Sequence, residues 1–283
     1  MSPSLCPDVR AGQPIGVFDS GVGGLSILRA LRDELPHEHF VYVADSGHAP
    51  YGERDDAHVI ARSRAITAWL RAEYGIKALV IACNTATAAA VHLLRAEHPG
   101  LPVIGVEPAL KPAVGLSRTG RIGVMATRGT LGSAKFAALL ASLSGLAEFV
   151  LQPCDGLADA IERQELSKII ALCDQYTLGM GQFGLKPGQI DTLVLGCTHY
   201  VFVADELRSL VGPQVRLIET GEPVARQTRR LLHKDALLTP EDSIAEAPAS
   251  IRLLTTGALA PLQAAAERWL QLPPDCCATV SIP

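Results

Sequence analysis

The sequence predicts an α/β fold of two pseudo-symmetric lobes, each a mostly parallel sheet flanked by helices. Three observations predict it. Short apolar runs recur between longer amphipathic stretches, and the runs do not alternate with polar residues, which is how strands covered on both faces read. The second half echoes the first: IGVFDS at Ile15 resembles IGVMAT at Ile122, and ALVIACNT at Ala78 resembles TLVLGCTH at Thr192. Polar, chemically able residues collect just after the apolar runs, at the strand ends where open α/β sheets bind ligands.

In the first half, strands are predicted over 15–18, 40–44, 78–82 and 103–106. In the second they fall over 122–125, 148–151, 192–195 and 215–218. All are short and rich in Val, Ile and Leu. Helices are predicted over 25–35, 57–74, 86–97, 132–143, 157–162, 167–180, 203–210 and 222–232. In 57–74, Val59, Ile60, Ile66 and Leu70 recur among arginines and a glutamate, and 86–97 is alanine-rich. Strand–helix alternation implies crossovers and parallel pairing. The proline-dense EPALKP at 107–112 marks the break between halves. Residues 234–250 read as an exposed loop, and the tail from Pro273 as loosely held.

Composition narrows the function. Hydrophobic residues make up 48% and charged residues 19%, so the chain can fill a core and does not read as disordered. A net charge of −4, without blocks of like charge, gives no electrostatic case for nucleic acid. The opening MSPSLCPDVRAGQP has no apolar core of a signal peptide, and no apolar run approaches the roughly 18 residues of a membrane helix. A soluble, cytoplasmic protein with no membrane contact is expected. The seven cysteines are odd in number and irregularly spaced, which argues against a disulfide framework. No C-x-x-C is present, so a structural zinc site lacks its usual signature and no metal is expected.

Asp19 in FDSGVGG, Asp45 in ADSGHAPYG, and Thr127 and Thr130 in MATRGT all follow predicted strands. The glycine-rich turn is a poor phosphate cradle: Ser26 takes the place of the third glycine of G-x-G-x-x-G, no P-loop lysine is present, and Asp19 would repel a phosphate. An amino acid suits it better, with Asp19 facing an ammonium or taking a proton. Cys6, Cys154, Cys173, Cys276 and Cys277 read as packing or tail residues. Cys83 and Cys197 read as reactive, because each ends a strand, precedes hydrogen-bonding residues, and lies where a helix N-terminus can lower a thiol pKa. His199 gains meaning only beside Cys197, as acid, base or electrostatic partner, whereas His48 and His92 have no such context.

Two matched thiols from two matched lobes suggest a reaction with matched ends. One thiolate takes a proton from one face of a carbon and the opposite thiol returns one to the other face, inverting a stereocentre. The carbanion character at Cα needs oriented donors in a dry site. Ser20, Asn84, Thr85, Thr127, Thr130 and Thr198 are groups of that kind. No lysine sits in a recognisable pyridoxal phosphate context, so no organic cofactor is expected.

These residues carry a resemblance. IGVFDSGVGGLS, YVADSGHAPYG, ACNTATA, GVEPA, MATRGT and LGCTHY, in this order from about Ile15 to Thr220, resemble the glutamate racemases, cofactor-independent enzymes of bacterial cell-wall precursor synthesis. The resemblance implies two α/β lobes with the active site between them, the first formed by 1–107 plus 221–283 and the second by 108–220. It implies interconversion of L- and D-glutamate by two bases, with Cys83 acting on the D-enantiomer and Cys197 on the L-enantiomer. Asp19 would assist Cys83, and His199 would assist Cys197. Asp19, Ser20, Pro50, Tyr51, Gly52, Asn84, Thr85, Thr127, Thr130 and Thr198 would hold substrate, and a homodimer is implied. Glu162 in LADAIE matches a family glutamate without a role assigned to it. Val201 stands where the family has proline after CTHY, which suggests a looser turn after His199. Glu219 and Thr220 replace a common Asp-Ser, and about a dozen residues precede the first strand. Two alternatives are an aspartate racemase or other two-cysteine isomerase or decarboxylase of the superfamily, and a non-catalytic amino-acid-binding protein on the same fold.

Overall fold

The computed structural model describes residues 11–240 and 250–283. Two parallel sheets organise them. The first contains β1 (Ile15–Asp19), β2 (Phe40–Ala44), β3 (Ala78–Ile81), β4 (Val103–Gly105), β9 (Ile251–Thr255) and β10 (Cys277–Thr279), in the order β10-β9-β2-β1-β3-β4. The second contains β5 (Arg121–Ala126), β6 (Glu148–Pro153), β7 (Thr192–Leu195) and β8 (Arg216–Ile218), in the order β6-β5-β7-β8. Every strand pair is parallel.

The internal echo is a structural repeat. The order β2-β1-β3-β4 in one sheet matches β6-β5-β7-β8 in the other. Gly16 lies opposite Leu79 as Gly123 lies opposite Leu193. Neither glycine has room for a Cβ, which would run into Ile76 at position 16 and into Met180 at position 123. The central strands β1 and β3 are buried throughout, as apolar runs covered by helices on both faces must be. Two apolar clusters cover the two faces of each sheet. Cys83 follows β3 and Cys197 follows β7, so the two cysteines occupy equivalent places in the repeat.

Three sequence expectations change. The tail is not loose: β10 extends the sheet, Ile282 is buried, and Arg62 Nη1 donates to the carbonyls of Ile282 and Pro283 at 3.2 and 2.9 Å. The proline-dense stretch 107–112 runs into an unexpected helix, Leu110–Leu116. Pro112 fits there because the first turn of a helix has no intrahelical use for its N–H. The turn after His199 is held without the proline. Tyr200 is fully buried, and Phe202 stacks on Trp269 with centroids 3.5 Å apart and planes 3° from parallel. Of the expected loop over 234–250, residues 241–249 lie outside the described residues, as do Cys6 and most of the segment before β1, while 234 closes the helix Gly221–Lys234. Among the described residues no helix is long and apolar enough to cross a membrane.

Candidate active site

Both cysteines sit where a strand hands over to a helical turn. Cys83 caps the helix Asn84–Glu97, and Cys197 precedes the 3-10 segment Thr198–Val203. Both are extended in backbone and at most 7% exposed, and both line one pocket. Asp19, Ser20, Pro50, Tyr51, Gly52, Asn84, Thr85, Thr127, Thr198 and His199 line it too. Of the residues expected in the site only Thr130 stands back from it, where its hydroxyl accepts from the Thr127 hydroxyl at 2.9 Å.

The two thiols have different partners. Cys83 Sγ donates to Ser20 Oγ at 3.8 Å, and the Asp19 carboxylate lies beside it. Asp19 Oδ1 accepts from the Ser20 N–H at 2.6 Å, and its Oδ2 accepts from Thr198 Oγ1 at 3.0 Å. Cys197 Sγ lies 3.8 Å from His199 Nδ1. His199 Nε2 meets Glu162 Oε2 at 2.8 Å, and Glu162 also accepts from the Val22 N–H at 2.9 Å and Ser46 Oγ at 3.0 Å.

Electrostatics separate the halves further. Burial pushes Cys83 well above the ordinary thiol range, and the neighbouring Asp19 charge adds to this. The helix N-terminus does help the thiolate through the Ala86 N–H, but less than burial opposes it, so the expected lowering of the Cys83 pKa does not occur. Burial also raises Asp19, and the His199 charge moderates the shift. Burial works against a charged His199, yet its hydrogen bonds to Cys197 and Glu162, and their charge, outweigh it and hold the imidazole well above its usual value. Burial likewise opposes the Glu162 carboxylate, and the bond from His199 prevails and lowers it. The Cys197 side therefore contains an imidazolium–carboxylate pair, whereas the Cys83 side contains a neutral thiol.

The glycine-rich turn has a job other than holding phosphate. A Cβ on Gly21 would overlap the Glu162 carboxylate, and one on Gly23 would overlap the His199 ring. Their absence lets the turn after β1 close onto the His199–Glu162 pair from the other sheet. The seam is tied by Ser26 Oγ, which donates to the Thr198 carbonyl at 3.1 Å. Across the pocket, Gly52 leaves room for Thr127, and the Thr85 and Thr127 hydroxyls meet at 3.0 Å. Asn84 is buried, and neither its Oδ1 nor its Nδ2 has a partner. This amide offers the pocket both a donor and an acceptor.

The comparisons bear on the whole constellation. The family model for Asp/Glu/Hydantoin racemase matches residues 25–228. The chain belongs to this family. It is 50% identical over 257 residues to the glutamate racemase of Ralstonia nicotianae, covering 90% of this chain and 88% of that protein. It is 51% identical over 228 residues to the glutamate racemase of Ectopseudomonas mendocina, covering 81% and 85%. Among solved structures, glutamate racemase isoform RacE1 from Bacillus anthracis superposes with a TM-score of 0.81 at 31% identity, over 96% of this chain and 98% of that one. The enzyme from Francisella tularensis, solved with D-glutamate, gives 0.80 at 27% identity, over 96% and 98%. That of Escherichia coli, solved with L-glutamate and the activator UDP-MurNAc-ala, gives 0.76 at 29%, over 91% and 95%.

Some features were out of reach of the sequence. Asp45 follows β2 as expected, but its carboxylate faces Arg62, Tyr51, His48 and Thr256 and braces the pocket wall from behind. Cys154, read as packing, lines the pocket, although its Sγ donates to the Gln152 carbonyl at 3.3 Å. Arg128, Asp155 and Asp159 line it as well. Glu162 gains a definite place: it is the partner of His199, 37 residues away in sequence, and no local pattern signals a contact of that separation.

Proposed function

We propose that this protein is a glutamate racemase that interconverts L- and D-glutamate by two-base proton transfer at Cα and supplies D-glutamate for peptidoglycan synthesis. The observation that carries the reading is the pair of buried thiols, one from each half of the structural repeat, lining one pocket with different acid–base partners. Relatives about 50% identical over most of the chain are glutamate racemases, which supports the choice of substrate.

In this mechanism Cys197 takes the Cα proton of L-glutamate. The His199 imidazolium, held by Glu162, stabilises the thiolate that does so. Cys83, kept as a neutral thiol by burial and by Asp19, delivers a proton to the opposite face and yields D-glutamate. The reverse reaction begins with Cys83 as the base, its proton taken up with help from Asp19, whose own raised pKa suits it to accept one. Asn84, Thr85, Thr127 and Thr198, with Ser20 and the Pro50–Gly52 turn, hold the substrate and its developing negative charge, and Thr130 holds Thr127. Fixed dipoles in a water-poor pocket stabilise that charge without reorganising. The lobes are taken as 1–107 plus 221–283 and 108–220, and the enzyme as cytoplasmic; a homodimer is the proposed assembly, and light scattering tests that assembly.

The function is tested by incubating metal-stripped, reduced protein with L-glutamate in D2O without added cofactor. D-glutamate carrying deuterium at Cα is expected. Turnover of aspartate instead, or binding of glutamate with no turnover, refutes the proposal.

A further inference from the structure

Cys276 and Cys277 take no part in the site described above, yet their Sγ atoms lie 3.8 Å apart. Neighbouring residues of a regular strand point to opposite faces. Here Cys276 ends the 3-10 turn Pro274–Cys276 and Cys277 opens β10, and the change of backbone brings both thiols to one place. β10 is the outermost strand of its sheet. Cys277 sits at the margin of the apolar core with 9% of its surface exposed, and Cys276 packs against that core while remaining partly open to solvent. A small group can therefore approach the pair from outside.

Both thiols are protonated at neutral pH. Burial pushes Cys277 up to about 12 and raises Cys276 as well. Neutral thiols are slow nucleophiles toward peroxides and disulfides, and they bind a divalent cation only after losing protons to solvent. A trivalent arsenical does not face this barrier, because its own hydroxyls carry the thiol protons away.

We propose that Cys276 and Cys277 form a vicinal dithiol site for a trivalent, thiophilic metalloid of the organoarsenical class. The arsenic centre of R–As(OH)2 forms two As–S bonds and loses two As–O bonds. The hydroxyls leave as two waters with the two thiol protons, and nothing is oxidised or reduced. Cys277 belongs to an apolar cluster whose partly buried members include Trp269 and Leu272, and this favours an organic substituent over a charged one.

The test is titration of the purified, reduced enzyme with phenylarsine oxide, read by intact mass and peptide mapping. The expected result is one adduct mapped to Cys276 and Cys277, reversed by a small dithiol and resistant to a monothiol. Cys276→Ser and Cys277→Ser should each weaken binding by about 100-fold or more, because the second As–S bond is no longer intramolecular. Cys83→Ser and Cys197→Ser should leave this adduct in place. Retained racemisation by the Cys276 and Cys277 variants shows that they are folded. The proposal is overturned if either tail variant binds as tightly as the parent. It is equally overturned if folded, reduced enzyme takes up no arsenical, or if its only adduct maps to Cys83 or Cys197.

Discussion

The two halves of the pocket start from the same backbone plan and end with opposite electrostatics. Each has a central strand, a neighbour in the same order, and a cysteine at the next turn. Around Cys83 the second group is a carboxylate, Asp19, and burial keeps the thiol neutral. Around Cys197 it is an imidazolium, His199, anchored by Glu162. The repeat supplies two thiols lining one pocket, and the divergence of their partners gives one a buried carboxylate and the other an imidazolium. A two-base inversion needs two proton carriers on opposite faces of one carbon, one to accept a proton and one to donate it.

The comparison breaks most completely when either carrier is removed. Cys83→Ser and Cys197→Ser should each lower racemisation by about 10³-fold or more, since an alcohol is far too weak an acid to share the thiol's role. The measure is D-glutamate formation from L-glutamate, and substantial turnover in either variant contradicts the pairing.

A smaller loss is expected from Gly23→Ala. The new methyl displaces the His199 ring while both thiols remain. A displacement on the order of 1 Å costs about 100-fold. The fall should appear in kcat more than in KM, and the Gly100→Ala control, whose Cβ meets nothing, should be silent.

Glu162→Gln sharpens the contrast by leaving His199 in place but unsupported. Losing a charge-assisted bond of this kind costs about 10-fold in kcat. Because His199 is raised in the fold, its stabilising contribution is fully present below its ordinary value of 6.5 and is lost as pH rises through the folded value. Glu162 is lowered, so its contribution is present above 4.5 and is lost as pH falls through its folded value. The variant should therefore bring the His199 pKa down in an NMR titration and move the alkaline limit of activity to lower pH. An unchanged His199 titration would mean that the pair does not hold the imidazolium.

A change confined to KM is expected at Asn84, whose unpartnered amide lines the pocket. Asn84→Ala should raise KM by about tenfold, and it should not reduce the unfolding free energy, since the buried amide has no partner to lose in the free enzyme. A large loss of stability would show that Asn84 is a structural residue.

Much of this was legible in the chain because it depends on local order. Buried parallel strands advertise themselves as unbroken apolar runs, and β2 and β7 fall where those runs fall. Functional groups at strand ends are adjacent in sequence to the strands that place them, which made Asp19, Cys83 and Cys197 visible together. What stayed hidden depends on neighbours distant in sequence. β10 has three residues and exists only because β9 lies alongside it. Glu162 reaches His199 from a different helix, and Asp45 stands back from the pocket lining with its carboxylate bound by Arg62. The sign of the Cys83 shift was hidden for the same reason: the helix N-terminus is local, whereas burial is the sum of the whole core.

The most direct test of the complementary halves is Cα hydrogen exchange in D2O by the two serine variants, each given L- and D-glutamate separately. The account predicts that Cys83→Ser, which keeps Cys197 and its imidazolium, exchanges the Cα hydrogen of L-glutamate without inversion and leaves D-glutamate untouched, and that Cys197→Ser does the reverse. Exchange of the same enantiomer by both variants would contradict the assignment of one thiol to each face.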